Sequence, residues 1–301
     1  MISFLRKYGF IFQVVLTVLA LIYFGIKVRG NIKPLITFLE RHPINLLTMT
    51  LSFLFLFGYY LLTVELWRRL ILLCGERVDF KLALKLFSFS QFGKYLPGRI
   101  WVIFGRTQMA PVHGLSPLII AASSSIEQFF FLFSGLFFLP FVLSIRFLTG
   151  LIIYSTFFLI LLHGLPRIRL CLSEMANKYI KTSIVDNFST KRIIAFISGY
   201  VIAWGIFGIG FYLFTISFTP LKWNFYPIAV GSFAVSWVLG ILSVFTPAGL
   251  GVREGVLIAI LQKWLDPALA LGVSIGSRLW LFLGEICFFF LAWALQDSSK
   301  K

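Results

Sequence analysis

Residues 193–221 have the sequence IIAFISGYVIAWGIFGIGFYLFTISFTPL, which contains no Asp, Glu, Lys or Arg. A bilayer core of about 30 Å needs about 20 apolar residues in helical form, so this stretch is long enough to cross it. Residues 8–26, 43–64 and 223–252 also lack charge, and residues 114–162 contain only Glu127 and Arg146. Such stretches predict membrane helices, because open strands in lipid would leave backbone groups unpaired.

The composition of the whole chain agrees with a lipid environment. Of the 301 residues, 59% are hydrophobic and 13% are charged, and the mean hydropathy is +0.94. Soluble domains are about 25% charged. We therefore expect an all-α, polytopic membrane helix bundle of about seven to eight spans. It forms one integral membrane domain over residues 1–301, with two halves at 1–162 and 192–301 joined by a basic cytoplasmic loop at 163–191.

Basic loops predict the orientation. Residues 65–85 contain five Lys or Arg and residues 163–192 contain six, which places both regions in the cytoplasm by the positive-inside rule. The net charge is +16, but the 27 Lys and Arg residues lie mostly between the apolar stretches, so we expect anionic lipid and no nucleic acid as the partner. A basic connection at residues 27–41 opposes this orientation. We expect a multi-pass protein of a bacterial or archaeal inner or plasma membrane, with a cytoplasmic N-terminus.

Two apolar segments are interrupted by glycine and proline, namely FGKYLPGR at residues 92–99 and FTPAGLGVREG at residues 245–255. Proline removes a backbone donor, and irregular backbone at membrane depth survives only inside protein or beside a wet cavity. Both segments are therefore predicted to be re-entrant, and such pairs point to the binding site of a transporter. The candidate pathway residues in them are Lys94, Tyr95, Pro97, Gly98, Arg99, Pro247, Gly249, Gly251, Arg253 and Glu254.

Further charged residues lie within apolar stretches. Glu127, Arg278 and Glu285 join Arg253 and Glu254 in this group. Each charge near the bilayer centre costs about 2.5–3.5 kcal/mol on insertion scales, so these side chains should face the bundle interior. In one interpretation they pair with each other, Arg278 with Glu127 or Glu254, and fix helix packing. In the other they line a polar cavity for a headgroup or a coupling proton.

Tryptophans fall into two groups by position. Those near loop ends fit interfacial anchors, and the deeper ones fit packing positions. The expected anchors are Trp67, Trp101, Trp223 and Trp264, and the expected packing residues are Trp204, Trp237, Trp280 and Trp293.

Catalytic signatures are missing from the sequence. The three cysteines form no CxxC pattern, the three histidines are isolated, and no nucleotide-binding, zinc-protease or nucleophile-elbow motif occurs. An intramembrane lipid-modifying enzyme would need a nucleophile or base with a partner, and the sequence offers only carboxylates. We therefore expect no enzyme activity, no cofactor and no metal site.

Residues 93–101, GKYLPGRIW, and residues 246–255, TPAGLGVREG, resemble the signatures of the lysylphosphatidylglycerol synthase/flippase transmembrane family. That family includes the membrane domain of the bacterial multiple peptide resistance factor. The resemblance implies a helical domain that moves aminoacylated phosphatidylglycerol, or another charged lipid, between leaflets. Synthases of the family carry a soluble aminoacyl-transfer domain, whereas this chain ends at Lys301 just after its last span. We therefore expect translocation or an accessory role without lipid synthesis.

The resemblance implies roles for the charged residues. Lys94, Arg99 and Arg253 would hold a lipid phosphate as charge-assisted donors. The glutamates would meet a cationic headgroup or orient the arginines. The expected partner is an anionic or aminoacylated phospholipid. Two alternatives stay open, a small-solute transporter and an accessory partner of a membrane enzyme of envelope lipid or polysaccharide synthesis.

Overall fold

The computed structural model describes residues 43–95, 101–142, 189–242 and 251–297, with a few isolated positions before residue 43. Every regular element in these ranges is helical. The α-helices are α1 (Leu46–Leu73), α2 (Phe80–Gln91), α3 (Trp101–Met109), α4 (Pro117–Leu136), α5 (Leu139–Val142), α6 (Thr190–Ile216), α7 (Tyr226–Leu242), α8 (Val252–Leu261) and α9 (Pro267–Asp297).

Within the described ranges, five helical stretches are long and apolar enough to cross a membrane. They are Leu46–Leu73, Pro117–Val142, Thr190–Ile216, Trp223–Ile241 and Pro267–Leu295. The prediction of an all-helical, multi-pass membrane protein is therefore confirmed. The larger number of spans and the re-entrant nature of the two broken segments stay predictions.

Helices α1 and α6 form the antiparallel centre of the bundle. Asn45 caps α1 by accepting hydrogen bonds from the N–H groups of Leu47 and Thr48, at 3.1 and 3.2 Å. Its own N–H donates to the carbonyl oxygen of Ser217 at the end of α6, over 2.8 Å. Along this contact, a Cβ on Gly210 would lie 3.1 Å from the backbone oxygen of Ser52. Glycine therefore lets the two backbones approach closely, as in many membrane helix pairs.

Helix α9 runs parallel to α1 and antiparallel to α6. Near its middle, Trp280 stacks on Phe214 of α6 with ring centroids 5.5 Å apart. Further along, Phe289 contacts Phe89 of α2 with centroids 4.5 Å apart. Because α2 follows α1 directly, this contact with α2 places the C-terminal part of α9 at the same end of the bundle as the C-terminus of α1. This end carries the basic residues of the 65–85 region.

Helices α2 and α3 lie side by side between α1 and α4. A Cβ on Gly93, in the turn after α2, would lie 2.8 Å from the carbonyl group of Trp101, so only glycine fits this approach. After α3, the N–H of Ser116 donates to Glu76 Oε1 over 2.7 Å. The chain therefore returns to the residues that follow α1 before α4 begins.

The tryptophan predictions are partly wrong. Trp67 is fully buried, because α2 covers that face of α1 and Phe87 lies against it with ring centroids 6.1 Å apart. The other three expected anchors are between 37% and 60% exposed. Trp293 is 53% exposed on α9, so it lies on the outer surface of the bundle rather than in its packing.

Candidate functional site

A cavity of about 360 Å³ lies in the middle of the bundle. All the helices except α5 contribute to its wall. Most of the lining is aromatic, and these residues include Tyr59, Tyr60, Phe87, Phe131, Trp204, Phe207, Phe233, Trp237 and Phe282. Ligand sites are commonly of this kind, with a mainly apolar wall and a few polar groups, and begin at about 300 Å³.

Four of the predicted pathway residues meet in this cavity. They are Glu127, Arg253, Arg278 and Glu285. They come from three helices, and their separation along the sequence reaches 158 positions, from 127 to 285. Glu254 is bonded to one of them and lies directly behind the wall. The structure therefore brings together the charges that the sequence places in apolar stretches.

The other predicted residues are only partly described. Lys94 and Tyr95 belong to a short 3-10 turn at Phe92–Tyr95. Pro97, Gly98, Arg99, Pro247 and Gly249 lie outside the described residues. Gly251 is described and precedes the first residue of α8.

The first buried ion pair joins Arg106 of α3 to Glu127 of α4. Arg106 is fully buried, and its Nη1 donates to Glu127 Oε2 while its Nε donates to Ser90 Oγ over 3.0 Å. Its guanidinium carbon lies 4.2 Å from the ring centroid of Trp67 and 4.4 Å from that of Phe87. Both distances suit cation–π attraction. One side chain thus connects α3 with α1, α2 and α4.

The second ion pair fixes the start of α8 on α9. The Nε of Arg278 donates to Glu254 Oε1, and the N–H of Gly251 donates to Glu254 Oε2 over 2.7 Å. The hydroxyl of Ser274 donates to the carbonyl oxygen of Glu254 over 3.4 Å. Gly251 has a φ of +83°, a conformation that favours glycine. Both carboxylate oxygens of Glu254 therefore have protein donors, which gives this residue a structural role.

Two charged residues contact aromatic groups in the cavity. Glu285 is 3% exposed, and the hydroxyl of Tyr60 donates to its Oε1 over 3.2 Å. The guanidinium carbon of Arg253 lies 4.4 Å from the ring centroid of Phe233. An aromatic face and a tyrosine hydroxyl thus stabilise these two charges inside a bundle that hydrocarbon surrounds.

The predicted pairings are half right. Arg278 pairs with Glu254, as one alternative proposed, but pairing with Glu127 is wrong because Glu127 bonds to Arg106. Sequence reasoning left Arg106 out of the candidate site. A signal was present, since Arg106 follows Arg99 by seven residues, the spacing that separates Arg278 from Glu285.

The cavity reaches the outer surface of the bundle beside α9. Leu279 and Phe282 belong to its lining and are also 61% and 40% exposed. A helix that spans a membrane exposes such apolar side chains to lipid. This flank therefore lies between the polar cavity and the hydrocarbon.

Outside the spans, Cys74 follows the last residue of α1. Burial, with a smaller effect of the negative charge on Glu76, raises the pKa of its thiol to about 12. The thiol is protonated at neutral pH and is a poor nucleophile. Among the described residues, no group of three or more His, Cys, Asp and Glu lies close enough to hold a metal ion.

Comparison with known proteins does not assign the chain to a family. No protein-family model matches it, and a search of curated proteins gave no match. The likeness of residues 93–101 and 246–255 to the synthase/flippase family is therefore a resemblance of short motifs.

Proposed function

We propose that this protein moves a phospholipid between the two leaflets of a cell membrane and that the lipid headgroup passes through the central cavity. The observation that carries the proposal is the meeting of Glu127, Arg253, Arg278 and Glu285 in one cavity within an apolar bundle. Ionisable groups at this depth are costly, and in membrane proteins they mark substrate or ion pathways. A lipid headgroup needs such a route past the hydrocarbon.

The flank beside α9 favours a lipid over a soluble solute. Leu279 and Phe282 face both the cavity and the bundle surface. A lipid can place its headgroup inside while its acyl chains stay in the hydrocarbon next to these side chains. A soluble solute would gain nothing from a boundary of this kind.

The proposal includes two re-entrant hairpins that enter from opposite sides of the membrane. The hydrogen bond from Ser116 to Glu76 supports the first hairpin, α2 with α3, because it ties both ends to the same end of the bundle. The bond from Arg278 to Glu254 supports the second hairpin, α7 with α8. It holds the start of α8 beside the interior of α9 rather than beside the first turn of α9. Helices broken at mid-membrane in this way form the binding sites of many transporters.

The orientation is part of the same proposal. With the basic end of α1 in the cytoplasm, α1 and α9 run towards the cytoplasm, α4 and α6 run away from it, and α9 ends on the cytoplasmic side. The proposal keeps the N-terminus in the cytoplasm, as the sequence predicts. The membrane is the plasma membrane of a bacterium or archaeon.

A leaflet-exchange assay tests the transport activity. The purified chain is placed in liposomes with phospholipids that carry a fluorophore on an acyl chain, and an external quencher reports the accessible fraction. The double variant Arg278→Gln/Glu254→Gln removes both charges of one pair, so that no unpaired ion is left in the interior. We expect its exchange rate to fall at least about tenfold, the effect of losing one charge-assisted contact.

Lys191→Gln is the control, because this exposed lysine at the start of α6 is not among the residues that line the cavity. Folding of each variant is checked by circular dichroism and size-exclusion chromatography. Equal exchange by the double variant and the wild type would contradict the proposed route. A folded wild type that exchanges no lipid would favour the solute transporter or the accessory partner.

A further inference from the structure

Each of the four charged side chains that line the cavity already has a partner in the protein. The two ion pairs hold Glu127 and Arg278. A tyrosine hydroxyl donates to Glu285, and the ring of Phe233 lies against Arg253. The Nη2 of Arg278 has no hydrogen-bond partner among the described residues, but this atom is buried and has no surface in the cavity. Recognition of a ligand therefore falls to other groups.

Two neutral side chains of the lining have hydrogen-bonding groups that the described part of the chain leaves unused. The hydroxyl of Tyr59 and the amide of Gln91 form no hydrogen bond with any described residue, and both side chains are partly exposed. The hydroxyl of Thr63, by contrast, donates to the backbone oxygen of Tyr60 over 2.9 Å. Tyr59 lies within α1 and Gln91 ends α2, so two helices present these groups. Polar groups that converge in a mainly apolar wall fix the orientation of a ligand.

The chemistry of these two groups favours a ligand with hydroxyl groups. A phenol hydroxyl and a carboxamide can each donate and accept a hydrogen bond. A hydroxyl group of a ligand does both as well, whereas an ammonium group only donates and an ionised phosphate only accepts. An ionic group would also enter a region of low dielectric constant in which the charges of the lining are already engaged, which is costly. Tyr59 and Gln91 therefore suit an uncharged, hydroxyl-bearing group.

The aromatic wall favours a ligand that is itself a ring. The ring of Tyr59 lies 5.2 Å from that of Phe207, and the rings of Trp204 and Trp237 are 5.8 Å apart, measured between centroids. All four residues line the cavity. The face of an aromatic ring carries partial negative charge, so it attracts the C–H groups on the face of a saturated ring. A cyclic polyol offers such C–H faces together with hydroxyl groups at its edge.

Resting on the proposed phospholipid transport, we infer that the cavity selects a lipid whose headgroup ends in an uncharged cyclic polyol, an inositol or a hexose. Its hydroxyl groups bond to Tyr59 and Gln91, and its ring packs against the aromatic wall. The charged side chains hold the helices that form the site. Aminoacylated phosphatidylglycerol ends in an ammonium group, so the inference departs from the lipid that the family resemblance implies.

The test compares phosphatidylinositol with phosphatidylserine, made with identical labelled acyl chains. Both lipids carry the same net charge, but one ends in a neutral cyclic polyol and the other in a charged amino acid. In the leaflet-exchange assay we expect phosphatidylinositol to exchange at least about tenfold faster, the combined effect of two neutral hydrogen bonds. Equal rates in the wild type, or faster exchange of phosphatidylserine, would overturn the inference.

Two conservative variants assign the preference to the named side chains. Tyr59→Phe removes one hydroxyl and Gln91→Leu removes one amide, and each should lower the ratio of the two rates about threefold or more. A purely structural role would lower both rates alike and leave the ratio unchanged. Tyr200→Phe is the matched control, because this hydroxyl also lacks a partner among the described residues but is fully buried in a residue that does not line the cavity. A ratio that neither Tyr59→Phe nor Gln91→Leu lowers would contradict the inference.

Uptake of free myo-inositol into the same liposomes separates a lipid from a soluble source of the same chemistry. Accumulation of this solute without exchange of either lipid would support the polyol site and contradict the proposed lipid transport. Equal exchange of both lipids would support lipid transport and overturn the polyol site. If neither lipid nor solute moves, binding decides, because Trp204 and Trp237 line the cavity and report on it by fluorescence. Tighter binding of short-chain phosphatidylinositol than of short-chain phosphatidylserine in detergent would then support the polyol site, and equal midpoints would overturn it.

Discussion

Arg106 combines full burial with a dense set of partners. Its guanidinium group lies between the rings of Trp67 and Phe87 and bonds to Ser90 and Glu127. Desolvation of two ions is costly, and loss of one member leaves the other charge buried without compensation. We therefore expect the effects of substituting Arg106 and Glu127 on the free energy of unfolding to be strongly non-additive.

A double-mutant cycle tests this expectation. Arg106→Met should lower the free energy of unfolding by about 3–5 kcal/mol, because Glu127 keeps a buried charge. Arg106→Met/Glu127→Leu should recover most of that loss, since apolar replacement of a buried ion pair is often near neutral. Denaturant unfolding in mixed micelles measures both values. Equal losses in the single and double variants would show that the ring contacts of Arg106, and not its charge pairing, stabilise α3.

Gly251 offers a second test at the level of one residue. Its φ of +83° is unfavourable for any residue with a Cβ, so Gly251→Ala should destabilise the protein by about 1–2 kcal/mol. Gly255→Ala is the matched control within α8, because a Cβ there has no neighbour within 4 Å and the residue is helical. That change should be neutral or stabilising by about 0.5–1 kcal/mol. Thermal unfolding of both variants gives the comparison, and similar losses at the two sites would contradict it.

At the scale of elements, short helices bring polar side chains into an apolar bundle. Helix α3 has nine residues and α8 has ten, which is too short to span about 30 Å. Each is held by an ion pair to a longer helix, α3 through Arg106 and α8 through Glu254. Long apolar helices thus form the frame, and the two short helices contribute to the cavity wall.

The proposed hairpin of α2 and α3 predicts on which side of the membrane the connections between helices lie. Single cysteines at Val112, Lys191 and Lys222, on a background without native cysteines, are exposed and lie at three connections. A membrane-impermeant maleimide should label Val112→Cys and Lys191→Cys from the cytoplasmic side and Lys222→Cys from the other. The reason is the bond from Ser116 to Glu76, which returns the chain to the end of α1. Labelling of Val112→Cys together with Lys222→Cys would mean that α2 and α3 cross the membrane.

At the scale of the whole molecule, the interior is polar at its centre and aromatic around it. Stacked and edge-on rings connect α4, α6, α7 and α9, for example Phe131 with Trp204 at 4.6 Å and Phe207 with Phe233 at 4.4 Å between centroids. Rings of this kind add dispersion and quadrupole contacts where lipid removes most of the hydrophobic drive for association. The cavity therefore lies within a firmly packed frame.

The sequence alone determined the environment and the main helices. Long charge-free stretches such as residues 193–221 can only be solvated by lipid or by protein, and within lipid the helix satisfies every backbone group locally. These are local properties, so α1, α4, α6 and α9 followed from the sequence. It also indicated that Arg278 and Glu285 face inward, because a spacing of seven repeats one helix face and exposure of charge to lipid is costly.

Only the tertiary structure decided which groups meet. Glu127 bonds to Arg106 and not to Arg278, and Trp67 lies under Arg106 instead of at the membrane interface. These outcomes depend on how helices far apart in sequence cross each other. Charge and hydropathy state that a buried ion needs a partner, but they do not select one among several. Helix packing made that selection, and with it the cavity that Glu127, Arg253, Arg278 and Glu285 line.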